Sequence, residues 1–144
     1  MRNFSDLLRL LTECKEGLDH IDMSAAITTL AKPKCQGPQR LQLADQITRM
    51  LTSRLHPLER RPLLECLRAR ERANILWAWA KMEHWPDPQF VDLLRTFIAG
   101  AYSTDPRHLS NVAWAVYKAG QAGHISEQVA QHAEAAGGMP GTCG

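Results

Sequence analysis

Residues 70–81 read RERANILWAWAK and residues 107–118 read RHLSNVAWAVYK. Arg70, Asn74, Trp77 and Lys81 recur 37 residues later as Arg107, Asn111, Trp114 and Lys118, with the same offsets of i, i+4, i+7 and i+11. On a helix of about 3.6 residues per turn those offsets fall on one face. The flanks repeat too: Ala73 answers Ser110, Ile75 answers Val112, and Ala78 answers Ala115. A fixed period of this size is the signature of an array of like supersecondary units.

A weaker copy lies upstream. Lys32 aligns with Lys81, Ala31 with Ala80, Ile27 with Leu76 and Ser24 with Ala73, while Ala25 and Thr28 replace the Asn and the Trp. The apolar frame survives and the aromatic stripe does not, which reads as a degenerate first repeat followed by an insertion.

Every periodic segment has the helical period, and no strand alternation is present. Phe4, Leu7, Leu8, Leu11 and Cys14 form a first stripe that Gly17 ends. A second helix is predicted from Asp22 or Met23 to Lys32, ahead of Pro33. A third runs from about Gln39 to Ser53 with Leu43, Ile47, Met50 and Leu51 inward, and His56-Pro57 breaks it. Pro62 suits a first helical turn, so the next helix is expected to run on to Met82, kinked near Arg70. After Pro86 and Pro88 comes the cleanest stripe, Phe90, Leu93, Leu94, Phe97, Ile98 and Ala101. Thr104 or Asp105 should cap the next helix, with Pro106 at its first position and Gly120 closing it. Ser126 then caps a short helix with Val129, Ala133 and Ala136 inward, and the tail frays.

The predicted fold is therefore all-α: an α-solenoid of antiparallel helix pairs, about three repeats of 37–38 residues, each pairing a Trp-bearing helix with an amphipathic one. The expected organisation is an N-terminal helix over 1–17, a degenerate repeat over 18–56, an insertion helix with the second repeat over 57–104, a partial third repeat over 105–136, and a flexible tail over 137–144.

The chain has 144 residues, 44% hydrophobic and 22% charged, which suits one folded domain rather than a disordered chain. No apolar run approaches the ~18 residues of a membrane span. The first residues lack an apolar core and a cleavage site, and Asp6 and Glu13 argue against a transit peptide. Cys14, Cys35, Cys66 and Cys143 form no metal-binding spacing and read as reduced thiols. The six histidines make neither an H-E-x-x-H motif nor a triad set, and no Gly-rich phosphate loop follows a strand. Neither an enzyme, a metal, a cofactor nor a small-molecule substrate is expected.

The repeated stripe admits two readings. As a nucleic-acid surface, Trp stacks on a base for about 1–3 kcal/mol, Asn meets a base edge, and Arg and Lys meet phosphate. As structure, Trp77 and Trp114 are core, the Asn amides satisfy loop carbonyls, and the lysines complement helix C-termini. Trp79 and Trp85, off the stripe, read as packing. The net charge of +2 permits nucleic acid without demanding it. The most basic stretch, residues 54–72, holds Arg54, Arg60, Arg61, Arg68, Arg70 and Arg72. Arg61, Glu65, Arg68 and Arg72 would share a helical face as ion pairs, leaving surplus positive charge for phosphate.

RANILWAWAKMEHWPDPQFVDLLRTF and HLSNVAWAVYKAG resemble the octotricopeptide repeat, a two-helix unit of about 38 residues, and MSAAITTLAK is similar to its degenerate opening repeats. The resemblance covers roughly residues 20–136. It rests on Asn74, Trp77, Ala78, Ala80 and Lys81, and on Asn111, Trp114, Ala115, Lys118 and Gly120. The Pro-Pro-Pro-Glu-Trp type motif of many such repeats is missing, and known members carry many more units. The resemblance implies a protein of chloroplast or mitochondrial RNA metabolism that binds single-stranded RNA. The RNA-contacting residues would be Arg70, Asn74, Trp77, Lys81, Arg107, Asn111, Trp114 and Lys118. The alternative is a scaffold of the same fold with a protein partner.

Overall fold

A computed structural model describes residues 9, 13, 17–32, 37–100 and 105–124. They form five α-helices and no strand: α1 His20–Leu30, α2 Arg40–Ser53, α3 Ala69–Met82, α4 Gln89–Ala99 and α5 Pro106–Gln121. The chain divides into two compact units, with the boundary between Leu67 and Arg68. The division falls inside the segment expected as insertion plus second repeat. Of the predicted N-terminal helix only Arg9 and Glu13 are described, both helical and exposed. The helix predicted after Ser126, the tail, and Cys14, Cys35 and Cys143 lie outside the described residues.

In the first unit α1 begins earlier than the apolar pattern suggests. Asp19 accepts the Asp22 N–H at 2.8 Å, and Asp22 accepts the Asp19 N–H at 3.2 Å, so two orphan amides are satisfied reciprocally. Met23, Ala26, Ile27 and Leu30 are buried against α2, whose Leu43, Ile47, Met50 and Leu51 are the inward residues the stripe requires. Each of these Leu, Ile and Met side chains contributes about 1.5–3 kcal/mol when fully buried. Ser24, Ile27 and Ala31 are buried, as are Ala73, Leu76 and Ala80, the residues with which they align.

The predicted long helix from Pro62 does not form. Leu63–Cys66 is one 3-10 turn, after which Leu67 and Arg68 are extended (ψ 144° and 170°) and α3 starts at Ala69. The turn closes on its own bonds: Leu55 bridges Pro62, and the Leu63 N–H donates to the Arg54 carbonyl at 2.9 Å. With Leu67 3% exposed, apolar burial holds an extended residue where the pattern alone favours continued helix. Arg61, Glu65, Arg68 and Arg72 therefore share no helical face. Arg61 instead pairs with Glu59 at 3.0 Å, Arg68 sits 3.9 Å from Glu71, and Arg72 donates to the Thr96 carbonyl at 3.3 Å.

In the second unit α3 packs against both α4 and α5. Phe90, Leu93, Leu94 and Phe97 of α4 are buried, Ile98 is half-buried, and Ala101 lies outside the described residues. Trp79 is fully buried, 6.1 Å from the Phe90 ring, and Trp85 meets Phe90 edge-on at 5.4 Å. Both tryptophans thus pack, as their off-stripe positions suggest.

Gly120 does not close α5. The helix runs to Gln121, two residues past the point matching the end of α3, and the chain turns at Gly123, in the left-handed region at φ 77°. The His124 N–H donates to the Ala119 carbonyl at 2.9 Å and the Gly123 N–H to Gly120 at 3.2 Å, a Schellman closure. Helix α3 ends in the same closure, His84 N–H to Trp79 and Glu83 N–H to Ala80, with Glu83 holding the left-handed seat at φ 55°.

Candidate nucleic-acid interface

Helix period places Arg70, Asn74, Trp77 and Lys81 along one side of α3, and Arg107, Asn111, Trp114 and Lys118 along one side of α5. The opposite sides carry the apolar residues that pack the unit, so the two stripes stay at its surface. Arg70, Lys81 and Arg107 are exposed; Asn74, Trp77, Asn111, Trp114 and Lys118 are half-buried. Trp77 and Trp114 are thus less buried than Trp79, which is fully enclosed. The reason is local: Ile75, Leu76, Ala78 and Trp79 already take the buried side of α3, and Val112, Ala113, Ala115 and Val116 that of α5.

The two copies meet each other. The Trp77 and Trp114 rings lie 6.5 Å apart, tilted by 41°, within the range of favourable aromatic pairs. The ammonium groups of Lys81 and Lys118 both lie 5.9 Å from the centre of the Trp114 ring. Each is a cation–π contact worth about 0.5–1 kcal/mol at an exposed site. One helix supplies Lys118 and the other Lys81, so the cluster belongs to both repeats at once. Neither Asn amide makes a hydrogen bond among the described residues, so the reading in which they satisfy loop carbonyls gains no bond.

The two arginines differ. Arg70 has no ion pair among the described residues. Arg107 is held by Asp105, the N-cap of α5, through Nη2 to Oδ2 at 3.0 Å and Nε to Oδ1 at 3.3 Å. The same carboxylate accepts the Arg107 backbone N–H at 2.9 Å. The guanidinium bonds first, then that N–H, lower the Asp105 carboxyl from its ordinary 3.8 to about 2. Its native form thus binds its proton more weakly than the unfolded chain, so the stability it contributes is present above about pH 4 and is lost as pH falls towards 2. Asp105→Asn, which keeps a side-chain cap, should flatten the acid limb of a denaturant-midpoint profile between those values. An unchanged limb would place the acid sensitivity elsewhere.

Of the basic stretch at residues 54–72, Arg61, Arg68 and Arg72 are engaged within the protein, while Arg60 and Arg70 have no ion pair among the described residues. Sequence reasoning missed the Asp105 clasp on Arg107, although an Asp two residues before an Arg at a helix start is a readable signal. It also missed the lysines' approach to Trp114, which needs the pairing of α3 with α5. No group of three His, Cys, Asp or Glu among the described residues could hold a metal ion. The Cys66 thiol is pushed up, first by burial and then by the Glu59 carboxylate, which leaves it a weak nucleophile. Among the described residues no helix is long and apolar enough to cross a membrane. Comparisons with protein-family models, with curated proteins and with solved structures found no match.

Proposed function

We propose that the protein is an α-solenoid of octotricopeptide-like repeats that binds single-stranded RNA on the joined faces of α3 and α5, without chemistry of its own, in the RNA metabolism of an organelle. The observation that carries the reading is the half-buried Trp77–Trp114 pair with Lys81 and Lys118 gathered at Trp114. The exposed part of these indoles would offer a base a stacking partner. The two ammonium groups at Trp114 would supply charge for the phosphates of a stacked strand. Asn74 and Asn111, with amides unspent on the protein, are available for base edges.

Binding of an unstructured RNA oligonucleotide should weaken as salt rises. Arg70, Lys81 and Lys118 are the cations available, because Arg107 is held by Asp105. At about 0.7 per phosphate neutralised, the log–log slope should be roughly 2. Asp105→Asn frees Arg107 and should steepen the slope by up to about 0.7, and Lys118→Ala should flatten it by a similar amount for every sequence. Asn111→Ala should leave the slope alone and change which sequences are preferred. Absence of binding at low salt would remove RNA from the reading and leave the fold.

The scaffold reading draws on a different place. Leu55 and Leu58, 58% and 87% exposed, stand out from the turn after α2 in the first unit, and exposed apolar side chains suit a protein partner.

A further inference from the structure

The turn after α2 contains an arrangement that neither the repeats nor RNA binding uses. The His56 N–H donates to the Arg61 carbonyl at 2.8 Å, and the Arg60 N–H donates back to the His56 carbonyl at 2.9 Å. At the tip, the N–H groups of Leu58 and Glu59 both donate to Nδ1 of the His56 ring at 3.1 Å. A ring nitrogen accepts only while it carries no proton, so these two bonds require a ring with its hydrogen on Nε2. An imidazolium has N–H on both nitrogens and nothing left to accept with. A second proton on the ring and the two bonds to Nδ1 are therefore mutually exclusive.

We infer that His56 is an acid-released clasp: taking up a second proton ends both bonds from the backbone and frees the turn that carries Leu58. Arg60 sits within the same turn at φ 60°, a backbone angle that L residues hold only where surrounding bonds impose it, so the turn has a conformation to relax out of. The surroundings hold charges of both signs. His20 of α1 lies with its ring centre 5.5 Å from that of His56. Asp19, at the start of α1, and Arg54, at the end of α2, line a cavity of about 730 Å³ that both imidazoles also border. Within the turn are Glu59 and Arg61, paired at 3.0 Å, and Arg60; Glu65 and Cys66 follow in the 3-10 turn. The Glu59 carboxylate, held below its ordinary range by the Cys66 thiol and then by Arg61, stays anionic in mild acid and favours the imidazolium. Arg54 and Arg61 oppose it. Leu55 and Leu58 wall the same cavity, so release of the clasp reshapes its apolar rim.

The test is solvent exchange of backbone amides by NMR on the full chain, corrected at each pH for the intrinsic rate. Protection of the Leu58 and Glu59 amides should fall roughly tenfold on going from about pH 7.5 to about pH 4.5, the loss expected for two net hydrogen bonds. The Thr48 amide in α2 should not change. His56→Asn puts a non-titrating oxygen in reach of the same two amides, as in an Asx turn. That variant should keep the turn protected at both ends of the range. Unchanged wild-type protection would overturn the clasp. A fall that persists in His56→Asn would place the trigger elsewhere, His20 first, and would also overturn it.

Discussion

Phe97→Ala is expected to lower stability by about 3–5 kcal/mol, the cost of a large-to-small change at a site that cannot collapse. Phe97 is 3% exposed, on the same side of α4 as Phe90, Leu93 and Leu94, each of which is also buried. Eleven residues make α4 too short to hold itself together in water, so its stability comes from this face. Phe97→Leu keeps most of the volume and should cost less than about 1.5 kcal/mol. Urea denaturation followed by circular dichroism measures both. A Phe97→Ala midpoint close to that of the parent would show that α4 is not held by its apolar stripe.

Trp79→Ala is expected to cost a further 3–5 kcal/mol on the same scale, while Trp77→Ala should cost about 1–2. The two residues are neighbours on one helix and differ only in which side they occupy. Trp79 is fully buried beside Phe90, and its indole N–H has no acceptor among the described residues. Trp77 is half-buried and loses one tilted aromatic contact when truncated, worth about 0.5–1.5 kcal/mol. Under the proposed RNA reading the order reverses: Trp77→Ala should weaken binding more than its smaller stability loss explains. Equal melting losses for the two variants would return Trp77 to the core.

The helical class, the inward faces of α2 and α4, and the Pro106 start of α5 could all be read from period and punctuation, because burial on one face is what period records. The end of α5 could not. Gly120 matches the expected stop, yet helices end where their last carbonyls find partners, and those partners here are the amides of Gly123 and His124. The start of α3 was hidden for a related reason. Pro62, Leu63 and the flanking charges look helical in sequence, and only the bond from Leu63 to Arg54 and the burial of Leu67 show that the chain turns first. At the candidate interface the residue types and their shared side were legible. Which cations were free was not, since Asp105 stands outside the helix and off the repeated stripe.

The two Schellman closures set a second rhythm in the chain. The aromatic stripes recur after 37 residues, but the left-handed seats, Glu83 and Gly123, recur after 40. Three added residues advance a helix by about 4.5 Å and carry its exit through about 300°. The chain therefore leaves α5 in a different direction from α3 while the faces that bear tryptophan keep their phase. The tryptophan-bearing face and the path of the backbone can thus drift independently, one fixed by side-chain spacing and the other by where a helix is allowed to stop.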